Sequence, residues 1–224
     1  MERIAFYDMD KTVTRKATFM PFAYHVLRHH KPLRFVVIPL MIGAAAFYGF
    51  RFISRTRLKE INLALLLGRK ISSPELEKIS SSFAQTMVAG NVLGGALRRI
   101  ESDRADGYHI VMATASCRFY AADIAERVGI ADVVATDNHT NSVGQILHLI
   151  DGENCYGEAK LRMVSDWLAQ KGIARDTVNI RFYSDHVTDA PCLAWADEAF
   201  ATNAHGPLSK LAQNKGWAQL NWLS

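Results

Sequence analysis

Short apolar runs that stop at a polar residue are the feature that most constrains the fold of this chain. Residues 4–7 are apolar and end at Asp8, and residues 109–113 are mostly apolar and end at Thr114. Similar runs occupy residues 133–136, 178–183 and 198–202. Short apolar runs bounded in this way are typical of buried strands. We therefore predict strands that carry polar residues at their carboxyl ends.

Helical stretches occupy most of the intervals between these runs, at residues 120–128, 159–170 and 190–196. Strands that alternate with helices indicate a parallel sheet with helices on both faces, so we predict a Rossmann-like α/β core. In such sheets ligands bind beyond the carboxyl ends of the strands. Asp8 and Asp185 each follow a predicted strand and are expected at that edge.

The stretch between the first two predicted strands breaks this alternation and looks all-helical. Ser73 and Pro74 form a good helix start, with serine as the N-cap and proline in the first turn. We predict an all-helical cap at residues 15–88 that lies over the site. The catalytic core would then consist of residues 1–14 and 89–224.

Charge is distributed unevenly along the chain. Residues 15–70 contain eleven basic residues and one acidic residue, Glu60, although the net charge of the whole chain is only +4. This asymmetry favours contact with a membrane surface, a phosphorylated substrate or nucleic acid, and a solvated basic face is the alternative. Nucleic acid is not expected, because the bases alternate with a long apolar run instead of with stacking aromatic residues.

That apolar run, residues 35–50, carries no charge and is flanked by Arg34 and Arg51. A spanning helix needs about 20 residues, so this run is short. A buried helix pair or dimer contact, a segment that lies in the membrane interface, and a full span remain open. The basic flanks favour the interface, since each nearby Lys or Arg adds about 1 kcal/mol at an anionic surface. We expect the protein in the cytoplasm, where the apolar run could also attach it peripherally to the inner face of the membrane.

The cysteines indicate a reducing compartment. Cys117, Cys155 and Cys192 are odd in number and form no Cys-x-x-Cys pair, so we expect free thiols. Residues 1–4 lead directly into an apolar strand and then into acidic residues, a pattern that does not predict a signal peptide.

Asp8 and Asp10 lie two residues apart at a strand end. If the backbone stays extended there, both side chains point to the same side and Met9 points into the core. Two carboxylates this close repel each other unless a cation or a shared proton compensates, and Mg²⁺ is a hard cation that prefers oxygen ligands. Asp185 can supply a third carboxylate, and Asp189 can return to the same site from the following turn.

A phosphate monoester is the substrate that fits these groups, because its transfer requires a nucleophile, charge neutralisation and a proton for the leaving oxygen. Asp8 can attack phosphorus and form an aspartyl-phosphate. Thr114 can donate a hydrogen bond to a phosphoryl oxygen, and Lys160 can add positive charge there. Asp10 can then act first as general acid and later as base toward water.

These residues resemble the four ordered motifs of the haloacid dehalogenase superfamily of phosphatases. Residues 8–14 resemble the first motif and residues 114–116 the second, while Lys160 is similar to the third and Asp185 with Asp189 to the fourth. The helical insert resembles the cap of the phosphoserine-phosphatase-like branch, subfamily IB. Its apolar, base-flanked run is similar to that of the membrane-associated phosphatidylglycerophosphate phosphatases.

The resemblance implies a magnesium-dependent phosphatase with Asp8 as nucleophile and Asp10 as acid and base. It implies Mg²⁺ bound by the Asp8 side chain, the Asp10 backbone carbonyl and Asp185. The substrate would be a lipid phosphate, such as phosphatidylglycerophosphate, or a small metabolite, such as phosphoserine. A phosphotransferase and a non-catalytic membrane-binding protein on a phosphatase fold are the alternatives.

One position departs from the family pattern, and one motif offers two candidate phosphate ligands. Lys11 stands where many relatives carry glycine. In the second motif, either Thr114 or Ser116 could bind phosphate. We favour Thr114 because it directly follows the apolar strand, whereas Ser116 is expected in the first turn of the next helix.

Overall fold

The computed structural model describes residues 2–223, which form a mixed α/β fold around one eight-stranded sheet. The strands are β1 Glu2–Tyr7, β2 Lys70–Ser72, β3 His109–Cys117, β4 Asp132–Thr140, β5 Gln145–Asp151, β6 Val178–Ser184, β7 Glu198–Thr202 and β8 Ala218–Leu220. Their order in the sheet is β2-β5-β4-β3-β1-β6-β7-β8. Within the sheet, the neighbouring strands of the series β4-β3-β1-β6-β7-β8 all pair in parallel. On the other side of β4, strands β5 and β2 add an antiparallel edge.

The α-helices alternate with these strands after the insert. They are α1 Phe19–His25, α2 Ile38–Gly49, α3 Arg55–Leu67, α4 Ser73–Gly90, α5 Gly94–Ala105, α6 Arg118–Arg127, α7 Glu158–Gln170, α8 Ala190–Trp195 and α9 Pro207–Lys215. The predicted α/β fold with a helical insert is confirmed. The insert also contains β2, whose Ile71 pairs with Ile146 of β5. Three residues are too few for an alternating pattern to reveal this strand.

Strand β1 lies at the centre of the sheet, between β3 and β6. Successive side chains of a strand point to opposite faces, and β1 therefore contributes to two separate cores. Ala5 and Tyr7 pack with helices α4, α5 and α6, whereas Ile4 and Phe6 pack with α7, α8 and α9. Helices cover both faces, as the alternation of strands and helices predicts.

The end of β3 differs from the prediction. The strand continues past Thr114 to Cys117, with a shift of its pairing to β4 between these two residues. Helix α6 begins at Arg118, so Ser116 lies in the strand and not in the first turn of a helix. The reason given for preferring Thr114 as phosphate ligand is therefore wrong, and the choice depends on where the two side chains point.

The apolar segment is exposed. Residues Pro32–Gly49 form the one helical segment, within residues 2–223, that is long and apolar enough to cross a membrane, and only 6% of it is buried. Within α2 only Ala44 is buried. The alternative of a buried helix pair is therefore wrong, because α2 packs against the rest of the protein along a narrow strip.

Candidate active site

The chain turns sharply after the first strand and so directs Asp8 and Asp10 into one cavity. The Asp8 amide donates to the Tyr183 carbonyl at 2.9 Å, and residues Met9–Val13 then form an irregular turn that is closed by the Thr14 amide donating to the Met9 carbonyl at 2.9 Å. Lys11 adopts φ 60° within this turn, a left-handed conformation that favours glycine. The backbone is thus not extended as the prediction assumed, although Met9 is buried as expected.

All the predicted site residues meet at the carboxyl end of the central strands. They line a cavity of about 230 Å³, and they are Asp8, Asp10, Thr114, Lys160, Asp185 and Asp189. They come from four segments that are distant in the sequence; β1, β3 and β6 bring three of these segments side by side, and α7 supplies Lys160. The cavity also contains Arg55 and Tyr156, which sequence reasoning did not identify.

Lys160 joins the two acidic motifs. It lies in the first turn of α7, after Gly157, and its side chain is only 2% exposed. Its Nζ donates to Asp8 at 2.8 Å and to Asp189 at 2.6 Å. Asp189 also accepts from the Ser184 hydroxyl at 2.8 Å. The ammonium is therefore fixed beside one oxygen of Asp8 by a partner that is itself held in place.

Asp10 is held by donors on the side of the insert. Its carboxylate accepts from the Thr18 amide at 2.9 Å and from the Ser116 hydroxyl at 3.3 Å. The hydroxyls of Thr18 and Ser116 lie 3.0 Å apart. Burial raises the pKa of Asp10, and these hydrogen bonds oppose the rise. Ser116 thus contacts the second carboxylate, whereas Thr114 lines the cavity of Asp8 and Lys160.

The carboxylates that face the cavity resist ionisation. Burial raises the pKa of Asp8 to about 8, although the ammonium of Lys160 acts in the opposite direction. Burial likewise raises the pKa of Asp185 to about 6, opposed by Lys11. The pKa of Lys160 lies well above its usual value, because the attraction of Asp189 and Asp8 outweighs burial. One ammonium is surrounded by more acidic groups than it can neutralise, so the cavity favours an added cation.

The donor set fits a magnesium ion. Residues 2–223 contain no group of three or more His, Cys, Asp or Glu side chains arranged to hold a metal. Mg²⁺ does not require three such side chains, since it is usually held by one or two carboxylates and keeps several waters or substrate oxygens as its other ligands. Within the described part of the chain, the Asp185 carboxylate accepts no hydrogen bond, and Asp8 accepts one only from Lys160. Carboxylate oxygens therefore remain available, together with the Asp10 carbonyl.

Comparison with known proteins agrees with this geometry. Residues 5–194 match the haloacid dehalogenase-like hydrolase family. The chain belongs to this family. It is 23% identical over 218 residues to phosphoserine phosphatase SerB1 of Mycobacterium tuberculosis, covering 95% of this chain and 68% of that protein. It is 25% identical over 154 residues to a histidinol-phosphatase of Neisseria meningitidis, covering 68% and 69% of the two chains.

A solved structure shows the same fold. The chain superposes on a Bordetella pertussis protein of unknown function with a TM-score of 0.87, at 24% identity and with both chains fully covered. The predictions of a haloacid dehalogenase-type phosphatase, of its phosphoserine-phosphatase-like branch and of a phosphoric monoester hydrolase are confirmed at this level.

Two further residues of this hydrolase site come from the insert and from the loop before α7. The Arg55 guanidinium lies 3.9 Å from the centre of the Tyr156 ring, and both side chains line the cavity. Thr18, which holds Asp10, also belongs to the insert. The capping Ser54 marks the start of α3 in the sequence, but nothing in the pattern shows that this helix start faces Asp8. His186 lines the cavity as well and is hydrogen-bonded to Thr188 at 2.8 Å.

A second cavity of about 290 Å³ adjoins the first beyond Asp10. Its walls are mainly apolar, and they include Phe19, Tyr48, Leu58 and Tyr120. Arg55 and Ala115 line both cavities. Asp10 also lines both cavities and therefore stands between them.

Proposed function

We propose that this protein is a magnesium-dependent phosphatase that hydrolyses a phosphate monoester through an aspartyl-phosphate on Asp8. The observation that carries the proposal is the contact of Lys160 with Asp8 at 2.8 Å, in a cavity shared with Asp10, Thr114 and Asp185. A nucleophile, a fixed cation and a buried acid are the groups that phosphoryl transfer requires.

In the first step an Asp8 oxygen attacks phosphorus and the bond to the leaving alcohol breaks. Asp10 gives its proton to the leaving oxygen, a role that its burial supports because burial raises its pKa. In the second step water attacks the aspartyl-phosphate while Asp10 takes back a proton. Inorganic phosphate leaves and the Asp8 carboxylate is restored. Thr114 and Lys160 hold phosphoryl oxygens throughout.

The Asp8 side chain, the Asp10 carbonyl and Asp185 would hold the magnesium ion. When bound, Mg²⁺ reduces the repulsion between the anionic phosphate and the attacking carboxylate. The fit rests on the carboxylate oxygens of Asp8 and Asp185 that accept few hydrogen bonds.

The second cavity supports a substrate whose alcohol part is largely apolar, such as a lipid phosphate. Phe19, Leu58 and Tyr120 favour such a group, and within the described residues the only carboxylate that lines this cavity is Asp10. A phosphoserine ammonium would therefore lack a carboxylate of its own there. Phosphoserine remains the second candidate because a relative bears that name. Cytoplasmic location and peripheral membrane contact stay part of the proposal.

Hydrolysis of p-nitrophenyl phosphate tests the mechanism. We expect Asp8→Asn to abolish turnover and EDTA to silence the wild-type protein, with recovery on addition of Mg²⁺. Asp176→Asn is the matched control, since it removes one carboxylate from an exposed position outside the cavity. Turnover that survives Asp8→Asn would contradict the assignment. A comparison of phosphatidylglycerophosphate with phosphoserine tests the substrate class, and an added alcohol acceptor tests for phosphotransfer.

A further inference from the structure

Large apolar side chains are concentrated on one exposed part of the insert. Phe47, Phe50 and Phe52 are 57%, 75% and 73% exposed, and their rings lie against one another with centroids 5.9 and 6.3 Å apart. We call residues 47–52 the hairpin tip, because the chain reverses there between α2 and α3. Leu33, Val36, Leu40 and Ile42 continue the exposed apolar surface along the preceding segment.

This surface surrounds α2 and is not confined to one face. Leu40 and Ile42 are 61% and 65% exposed, and two residues along a helix place their side chains roughly 160° apart around the axis. A second protein surface would cover one face of such a helix and leave the other in water. A lipid phase covers all faces that the protein leaves exposed, and helices that are apolar all round are typical of such surroundings.

The segment does not have the geometry of a full span. The Arg34 guanidinium donates to the carbonyls of Ala64 and Leu65, at 3.3 and 2.8 Å, and so ties the start of the segment to the last turns of α3. At the other end, Tyr48 lines the second cavity. Both ends therefore contact the same folded body and lie on the same side of a bilayer. Helix α2 alone, with 12 residues, is about 18 Å long, against the roughly 30 Å of a hydrocarbon core.

The charge near the hairpin tip complements an anionic surface. Arg51 stands between the exposed phenylalanines. Glu60, the one acidic residue in residues 15–70, is already engaged by Arg57 and by the Ile150 amide, each at 3.2 Å. Each base close to an anionic bilayer adds about 1 kcal/mol of binding free energy.

We propose that the apolar helical segment Pro32–Gly49 and the hairpin tip insert into the interface of an anionic membrane, with the rest of the protein outside the bilayer. Tyr48, within the hairpin tip, lines the second cavity, and Arg55, three residues after the tip, lines both cavities. This orientation places the opening of the active site at the level of the lipid headgroups. The proposal concerns binding and holds whether or not the site proves to be a phosphatase.

Flotation with vesicles tests the proposal on the full chain. The probes are vesicles of phosphatidylcholine alone and of phosphatidylcholine with phosphatidylglycerol, each at low and at high salt. We expect binding to the mixed vesicles, weakened by salt because exposed charges are screened. Weak binding to phosphatidylcholine should remain, since the apolar part of the interaction does not depend on lipid charge.

Variants separate the apolar and the charged contributions. Phe50→Asp with Phe52→Asp should lower the partition coefficient by at least about tenfold on both vesicle types. Arg51→Gln should lower it by roughly fivefold on the anionic vesicles only, which corresponds to about 1 kcal/mol. Val143→Asp is the matched control, because Val143 is also 75% exposed but lies in the turn between β4 and β5. Unchanged thermal unfolding of each variant excludes a folding defect.

A second copy of the chain is the competing occupant. Wild-type protein that fails to float with any of the vesicles would overturn the proposal, and so would equal binding by the Phe50→Asp, Phe52→Asp variant. If such protein runs as a dimer on size exclusion and this variant runs as a monomer, the surface is a contact between copies instead.

Discussion

The Lys160 ammonium contacts the carboxylates of Asp8 and Asp189 at the same time, at 2.8 and 2.6 Å, and all three side chains are buried. This arrangement makes one cation responsible both for the charge balance of the folded protein and for the position of Asp8, the proposed nucleophile. Removing one partner of a buried ion pair leaves an uncompensated charge and is strongly destabilising. Replacement of Lys160 should therefore lower activity and stability together.

We expect Lys160→Met to lower kcat for p-nitrophenyl phosphate by at least about a hundredfold and to lower the free energy of unfolding by about 3 kcal/mol. Steady-state kinetics and urea unfolding measure the two effects. Lys215→Met, on the exposed end of α9, should change neither quantity. A stable Lys160→Met protein with normal kcat would contradict the role assigned to the ammonium.

Thr114 and Ser116 should differ in their kinetic effects, although they lie two residues apart on β3. The Ser116 amide donates to the Thr114 hydroxyl oxygen at 3.1 Å, which leaves the Thr114 hydrogen available for a phosphoryl oxygen. We expect Thr114→Val to lower kcat/KM by about a hundredfold, as loss of one donor to a developing charge does.

Ser116→Ala removes a hydrogen-bond donor to Asp10. We expect it to lower kcat by about tenfold while KM stays unchanged, because the acid loses its fixed position. Initial rates of both variants over a range of substrate concentrations separate kcat from KM. The reverse order of effects would identify Ser116 as the phosphate ligand.

Lys11→Gly tests the left-handed residue of the turn after Asp8. Relief of the φ strain should stabilise the folded chain by about 1 kcal/mol, and the larger entropy of glycine in the unfolded chain should cancel most of that gain. The loss of an ammonium from the cavity should raise KM severalfold. Arg51→Gly is the control, since Arg51 has φ 63° at the hairpin tip, away from the cavity lining. Arg51→Gly should change the free energy of unfolding as little as Lys11→Gly does, and it should leave KM unaltered.

His25 should make the insert sensitive to acid. Its ring contacts Ser82 at 2.9 Å and lies beside His29 and His30, and burial lowers its pKa from 6.5 to about 4. The unfolded chain therefore binds this proton more readily than the folded chain. Stability is complete above pH 6.5 and falls as the pH drops toward 4, by up to about 3 kcal/mol.

Urea unfolding of wild-type protein and of His25→Gln at a series of pH values measures this contribution. The difference between the two proteins should change between pH 6.5 and pH 4 and be constant above that window. His205→Gln, at an exposed position, should follow the wild-type curve. Parallel curves for wild type and His25→Gln would show that His25 contributes no pH dependence.

The buried centre of the fold and the acidic site could be predicted because local pattern and global position agree there. Strands β1, β3 and β6 are covered on both faces, so they appear in the sequence as apolar runs. Polar residues that directly follow such runs in a parallel sheet must meet at one edge. This is why Asp8 and Asp185 could be placed together without knowledge of the intervening chain.

The residues that escaped prediction depend on long-range packing. Strand β5 lies next to the edge strand β2 and is half-buried, and its sequence lacks a continuous apolar run. Thr18 and Arg55 reach the site only because the insert folds over it, which no spacing in the sequence reveals. Exposure of the apolar segment was likewise undecided, since the same residues would suit a core, a dimer or a bilayer.

The central position of β1 has a consequence for synthesis of the protein on the ribosome. Ile4 pairs with His109 on one side and with Ile180 on the other, so β1 emerges long before either neighbour is available. Contacts between such distant segments form slowly, and an unpaired apolar strand is prone to aggregation while it waits. Asp8 is thus translated before the other strand-end residues of the site, yet its surroundings are completed only when β6 and the loop after it have left the exit tunnel.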